Sequence, residues 1–279
     1  MEGKYVELST VDRDALLRAK LVLEHPSIAA RAAELLGHPI ELAIENLPPT
    51  AKRLLTNATQ SALKLGLRVA VLTLEDQPGA AASTLWHKVA GSITGAAGGF
   101  FGVVAMPAEL SISTVIILRS IADIARSQGE DLHAVEARLA CLEVLALGGG
   151  RSDAVGAAET GYYAARIGMA QSFQKAVEHI SRHGFSKHVA PPVAEWLTRI
   201  AARFSVQVSQ GTLAKAIPVL SAATGAALNA MFVQHFQEVA SAHFTIRRLE
   251  RVYGASEVKL QYSKLLWERP SRDAQLPQA

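Results

Sequence analysis

The sequence predicts an all-α protein, a multi-helix globular bundle with a central helical pair rich in small residues (GxxxG spacing). Apolar residues recur at helical spacing along most of the chain, no run alternates apolar and polar residues long enough to argue a sheet, and no repeat of fixed period is visible. In order, Asp12–His25 places Leu16, Leu17, Val22 and Leu23 at helical spacing and stops at Pro26. Ser27 is the expected cap of a second helix ending near Gly37, and Pro39 and the Pro48-Pro49 pair punctuate the next stretch. Thr50 is read as the N-cap of a helix of about six turns, whose stripe is Leu55, Leu63, Leu67, Val71 and Leu74. Glu75–Ser83 (EDQPGAAAS) reads as a linker, because Pro78-Gly79 sits among small residues. Further helices are expected over His133–Leu147, Asp153–Arg182, Val193–Gln210, Thr212–Thr224 and Leu228–Tyr253.

Composition narrows the class. Of 279 residues 49% are apolar and 19% charged, with mean hydropathy +0.18, which excludes a disordered chain. The single cysteine, Cys141, excludes an intramolecular disulfide framework and suits a reducing compartment. The first twenty residues carry charges throughout and lack the apolar core of an export signal, so a cytoplasmic location is expected. Residues 1–140 hold 13 basic and 15 acidic side chains, residues 141–279 hold 15 and 10, so the excess positive charge lies in the second half. Ile246–Arg272 alone has seven basic and three acidic residues, a tail suited to an acidic partner or an anionic surface, or simply a solvated helix face.

Two uncharged runs need an account. Twenty residues between Lys88 and Glu109 (VAGSITGAAGGFFGVVAMPA) and the run between Lys215 and His235 (AIPVLSAATGAALNAMFVQ) reach the ~20 residues that a membrane-spanning helix needs. Their composition is weaker than their length: the first has five Gly and five Ala, and the second contains Pro218 and Asn229. Gly91, Gly95, Gly98, Gly99 and Gly102 make three overlapping GxxxG spacings, a flat face on which another helix can approach closely. Three readings stay open: a buried core helix, a segment on one leaflet helped by Phe100, Phe101 and a turn at Met106-Pro107, or two spans. The spans would place Glu109 and Arg119 deep in hydrocarbon.

Beyond Pro107, three charges interrupt an apolar helix. Arg119 and Asp123 are four apart on one face, and Glu109 lies about three turns before Arg119 on nearly the same side. The economical expectation is a Glu109–Arg119–Asp123 network that fixes helix register; the functional alternative is a polar site in the bundle.

The stretch GAAGGFFGVVAMPAELSISTVIILRSIADIARSQGEDL, then EARLACLEVLALGG, then ETGYYAARIGMA, and the late GAALNAMFVQHFQEVASAHFTIRRLERVYG together resemble the EcsC protein family. They cover most of residues 89–254 in the expected order. The resemblance implies a mainly bacterial, apolar, membrane-associated protein, the family's namesake lying beside the components of an ABC transporter linked to secretion. It implies no reaction, and so supplies no catalytic residue.

Candidate chemistry gathers on the last long helix, where Asn229, His235, Glu238, His243, Arg247 and Arg248 occur. His235 and His243 are eight apart, within about 80° of each other around a helix, and Glu238 is three beyond His235. With Glu109, Asp123 or Glu159 from other helices these form a weak set of metal ligands; a satisfied polar network is the simpler reading. His179, His183 and His188 cluster at a helix end around Gly184, where imidazoles favour the dipole without a metal. Ser61–Lys64 and Ser172–Lys175 lack the companion motifs of that enzyme class, and Cys141 lies in an apolar helix as a buried thiol. Gly148-Gly149-Gly150-Arg151 follows a helix rather than opening one, and no nucleic-acid recognition module is present.

The sequence therefore divides into an N-terminal helical extension (1–80), an EcsC-like helical domain (81–256) and a basic tail (257–279). The leading expectation is a non-enzymatic, membrane-proximal interaction protein on the cytoplasmic side of the inner membrane, without a cofactor. Its partner is a membrane surface or a membrane protein such as an ABC transporter. Two alternatives remain: a metal-dependent enzyme with a polar site among Glu109, Arg119, Asp123, Glu159, Asn229, His235, His243 and Arg247, and a soluble oligomeric scaffold, which follows if the GxxxG face is filled within the fold.

Overall fold

The computed structural model describes residues 8–24, 49–74, 102–147, 161–186, 189–215 and 222–265. Among them are eight α-helices and no strand: α1 (Thr10–Glu24), α2 (Pro49–Thr73), α3 (Gly102–Ser127), α4 (Val135–Glu143), α5 (Gly161–His183), α6 (Pro191–Lys215), α7 (Ala222–Tyr253) and α8 (Ala255–Lys264), with one 3₁₀ turn at Val144–Ala146. The all-α class read from the periodicity holds.

Local chemistry explains most of the helix ends. Ser9 caps α1, its hydroxyl accepting from the Asp12 N–H at 3.1 Å and donating to the Asp12 carboxylate at 2.9 Å. Helix α2 opens on Pro49 itself, one residue before the expected Thr50 cap, because a proline in the first turn forfeits only an N–H that has no partner there. After α3 the Gly129 N–H bonds the Arg126 carbonyl and the Glu130 N–H bonds that of Ala125, the paired closure of a Schellman turn. Gly129 adopts φ +78° to make it.

Two helix boundaries differ from expectation. The anticipated turn at Met106-Pro107 lies inside α3, where Pro107 is the sixth residue and removes one backbone bond near the start. The break expected at Gly211 is absent, since α6 runs through it to Lys215; residues 216–221 of the helix expected over Thr212–Thr224 lie outside the described residues. The expected Ser27 helix, the 75–83 linker, the glycine run 148–151, His188 and most of the first uncharged run fall outside the described residues.

One core joins the chain from α1 to α8. Leu16 and Leu23 of α1 and Leu63, Leu67 and Leu74 of α2 belong to the same buried cluster as Ile117, Leu118, Trp196, Phe204, Phe236 and Phe244. Val258 and Tyr262, in the stretch expected to be a basic tail, are fully buried in it as well. Helix α2 packs on α3, α1 on α7, and α5 on α6. Helices α3 and α7 pack side by side and run parallel: Gln237 donates to Ser120 at 2.7 Å, and ten residues further along both segments Arg247 donates to Glu130 at 2.9 Å. Their N-termini, Gly102 and Ala222, therefore lie at the same end of the bundle.

No described helix is long and apolar enough to cross a membrane.

Candidate functional site

The polar residues singled out from the sequence go to different places. Asp123 is exposed and pairs with Arg126 one turn on, at 2.7 Å, while Arg119 reaches across to α2, where its Nη2 donates to the Thr73 hydroxyl at 3.1 Å. Arg126 also donates to the Leu74 carbonyl at 2.6 Å. The expected Arg119–Asp123 pair is not formed, because Thr73 and Leu74 at the end of α2 offer these arginines partners that their own helix could not reveal. Of Glu109 and Asn229 only the helical backbone is described, and Glu159 lies outside the described residues, as do Gly91, Gly95, Gly98, Gly99, Phe100 and Phe101. Gly102 opens α3.

His235 and His243 are both buried on α7 but do not share a site. His235 meets the Phe236 ring edge-on, while Glu238 accepts from Gln234 at 3.0 Å on a more open part of the helix. Among the described residues no three His, Cys, Asp or Glu side chains gather as a metal site, so His235, Glu238 and His243 are not brought together as ligands. His179 and His183 stack with ring centres 4.6 Å apart at the end of α5.

His243 belongs instead to a buried polar network that the sequence did not single out. Tyr162, second residue of α5, has its hydroxyl 3.0 Å from His243 Nδ1 and accepts from Arg166 at 3.2 Å. The direction of the Tyr162–His243 bond follows the ring's tautomer, because a hydroxyl that accepts from Arg166 keeps both a proton and a second lone pair. Nε2 is buried without a hydrogen-bond partner among the described residues. Burial holds the His243 pKa well below the usual imidazole range, and the charges of Arg166 and Arg247 push it further down, so the ring is neutral. Arg166 in turn grips Glu250 through two bonds, 2.7 and 3.1 Å, and its guanidinium lies over the Tyr162 ring, 5.5 Å from the centre.

Two clasps hold this network in place. Glu24, last residue of α1, accepts from the N–H groups of Gly161 and Tyr162 and from the Tyr262 hydroxyl at 2.9 Å, a carboxylate at the positive end of α5. Lys20, one turn earlier, donates to the Tyr262 and Leu265 carbonyls at 2.7 and 2.6 Å, where α8 ends. On the other side Glu130, delivered by the Gly129 turn, takes two bonds from Arg247 (2.9 and 3.1 Å) and one from Arg251. Burial alone would raise the Glu130 pKa; the bonds and charges of Arg247, then Arg251, outweigh it and hold the carboxyl below its usual value. Arg247 thus belongs to a structural pair, with a weaker contact to Glu136 at 3.4 Å.

Between α4, α5, α7 and α8 opens a cavity of about 630 Å³, the size class of small-molecule sites. Arg166, Arg247, Glu250 and Lys259 give it charge, while Ile167, Phe173 and Val177 give it an apolar side. Glu143, at the end of α4, also lines it. The residue is 6% exposed, and its carboxyl makes no hydrogen bond or ion pair with the described residues. Burial pushes its pKa up to about 7, against the pull of Arg166 and Arg247. The sequence held one signal for Glu143, a lone carboxylate in the apolar LACLEVLAL, and one for Arg166, a cation following the Tyr162-Tyr163 pair at helical spacing.

These features define a helical-bundle protein whose buried polar groups tie α1, α5, α7 and α8 together beside a charged cavity. The chain belongs to the EcsC protein family, whose model matches residues 28–249. That match begins well ahead of residue 89, where the sequence resemblance starts, and takes in α2. No curated protein and no solved structure matches the chain.

Proposed function

We propose that this EcsC protein is a non-enzymatic interaction protein that works beside a membrane, presenting one end of its α3–α7 pair to a lipid surface or to a membrane protein of the ABC-transporter kind. The observation that carries this reading is the parallel course of α3 and α7, fixed by Gln237–Ser120 and Arg247–Glu130. Each of these helices is entered from an uncharged run, residues 89–108 leading into α3 and residues 216–234 into α7. Parallel helices begin at one end of the molecule, so Gly102 and Ala222 share that end, and an apolar sequence enters each helix there. Apolar sequence at one end of a bundle is of the kind that marks membrane or partner contact. Arg166, Arg247 and Lys20 are engaged within the bundle, with Glu250, Glu130 and the end of α8.

The test uses a fluorophore sensitive to polarity, attached at Ser92→Cys in the first run. The native Cys141 does not compete for the label, since it is fully buried and its thiol is pushed up to about 12. Addition of vesicles of phosphatidylglycerol and phosphatidylcholine is expected to shift the emission to the blue. An emission that stays at its aqueous wavelength contradicts the lipid contact.

A further inference from the structure

Glu143 stands apart from the other charges of the cavity wall, which are already matched. From α5 and α7, Arg166 and Glu250 hold each other at 2.7 and 3.1 Å. From α7, Arg247 is spent on Glu130 and Glu136; Glu136 stands on Glu143's own helix, two turns earlier. From α8, Lys259 lies 5.9 Å over the Tyr163 ring. Glu178, at the outer edge, pairs with Arg182 at 2.8 Å. Glu143 is only 6% exposed as a residue, and its carboxyl, left without a partner among the described residues, costs stability when it ionises. A ligand carrying a hydrogen-bonding cation would remove that cost, and an anion would add to it.

We propose that the cavity between α4, α5, α7 and α8 is a binding site for a small amphipathic amine, its ammonium paired with the Glu143 carboxylate and its apolar body lying along Ile167, Phe173 and Val177. The space of about 630 Å³ is ample for a ring and a short alkyl chain. All three apolar residues belong to α5 and line the cavity; Phe173 and Val177 are one turn apart, and Phe173 is held edge-on to Trp196 at 5.8 Å. Arg166 and Arg247 act on Glu143 from a distance and oppose a cation, but each is bonded to its own carboxylate, so Glu143 is the carboxyl of the wall that has no hydrogen-bonded partner among the described residues. The proton balance is definite. The amine enters as its ammonium, the carboxylic acid of Glu143 releases its proton to solvent, and a carboxylate–ammonium pair is left. This site is independent of the membrane contact proposed above and is tested without lipid.

The experiment is calorimetric titration of the full chain with 4-phenylbutylamine in two buffers of different protonation enthalpy at neutral pH. 4-Phenylbutanol and 4-phenylbutyrate serve as matched controls. The amine is expected to bind one to one, with a buffer-dependent heat that reports proton release, and at least ~10-fold more tightly than the alcohol. The carboxylate is expected to bind more weakly than either. Glu143→Gln should lose the preference for the amine over the alcohol and the proton release together. The wild-type buffer dependence stands as evidence whether or not that variant folds. Equal binding of amine and alcohol, tighter binding of the carboxylate, an amine preference that persists in a folded Glu143→Gln, or no binding of the amine at millimolar concentration would each overturn the proposal.

Discussion

Two buried groups pull the pH dependence of this protein in opposite directions. His243 is kept neutral by burial and by Arg166 and Arg247, so its folded pKa lies below the value in the unfolded chain. Its contribution is complete above about pH 6.5 and is lost as the pH falls, because the unfolded chain then takes up a proton that the folded one refuses. Glu143 behaves in reverse: burial raises its pKa from 4.5 to about 7, so the folded chain holds a proton that the unfolded one has released. Its contribution is complete below the unfolded value and is lost as the pH rises through 7. Glu143→Gln keeps the neutral shape at every pH. Thermal melts should therefore find the variant level with wild type near about pH 5 and clearly more stable near about pH 8. A wild-type advantage at the higher pH would mean that the carboxylate has a partner in solution. Neither residue's state was legible from its own neighbourhood in sequence. Glu143 sits in an apolar run that says "buried", but the arginines that act on it come from α5 and α7, 23 and about a hundred positions away.

At the level of elements, close approach is set by small side chains where three helices meet. Gly66 of α2 is buried, and a Cβ built there would lie 3.2 Å from Leu142 of α4 and 3.6 Å from Thr114 of α3. A methyl group needs only a small shift of the Leu142 tip and gains helix propensity, whereas a branched side chain needs room on both neighbours at once. Gly66→Val should cost ~1–3 kcal/mol, read as a lowered denaturation midpoint, with Gly66→Ala close to wild type. Equal stability of the two would show that α2 is free to move away. Gly254 poses a different constraint, since φ +89° and ψ 141° between α7 and α8 lie in a region that essentially only glycine occupies. Periodicity revealed that the helices exist because burying an apolar stripe is what stabilises them. It misplaced breaks at Gly211 and at Met106-Pro107 because a glycine inside a helix costs only ~1 kcal/mol, and a proline near the first turns removes few bonds. Packing covers such costs and leaves no trace in the local sequence. The Arg119 partnership failed for a related reason: four-residue spacing identifies neighbours on one helix, but Thr73 lies 46 residues away.

Across the molecule, α1 and α8, the first and last of the described helices, are locked to the same centre. Lys20 and Glu24 on α1 hold the end of α8 and the start of α5, and Asp12 takes the Arg248 guanidinium at 3.1 Å and the Tyr253 hydroxyl at 2.7 Å. The stretch read from charge alone as a basic tail is, through Tyr262, part of the core. Such a frame fixes the direction of α3 and α7, and with it the end of the bundle to which both uncharged runs connect. The proposed function stands on that end being a contact surface. The most direct measurement is flotation of the purified chain with anionic and with neutral liposomes, alongside a variant carrying both Phe100→Asp and Phe101→Asp. The wild-type chain is expected to float with the vesicles, and the variant, with unchanged helix content, to stay at the bottom of the gradient. A wild-type chain that remains below with both lipids, or a variant that floats as well as wild type, would contradict the membrane contact.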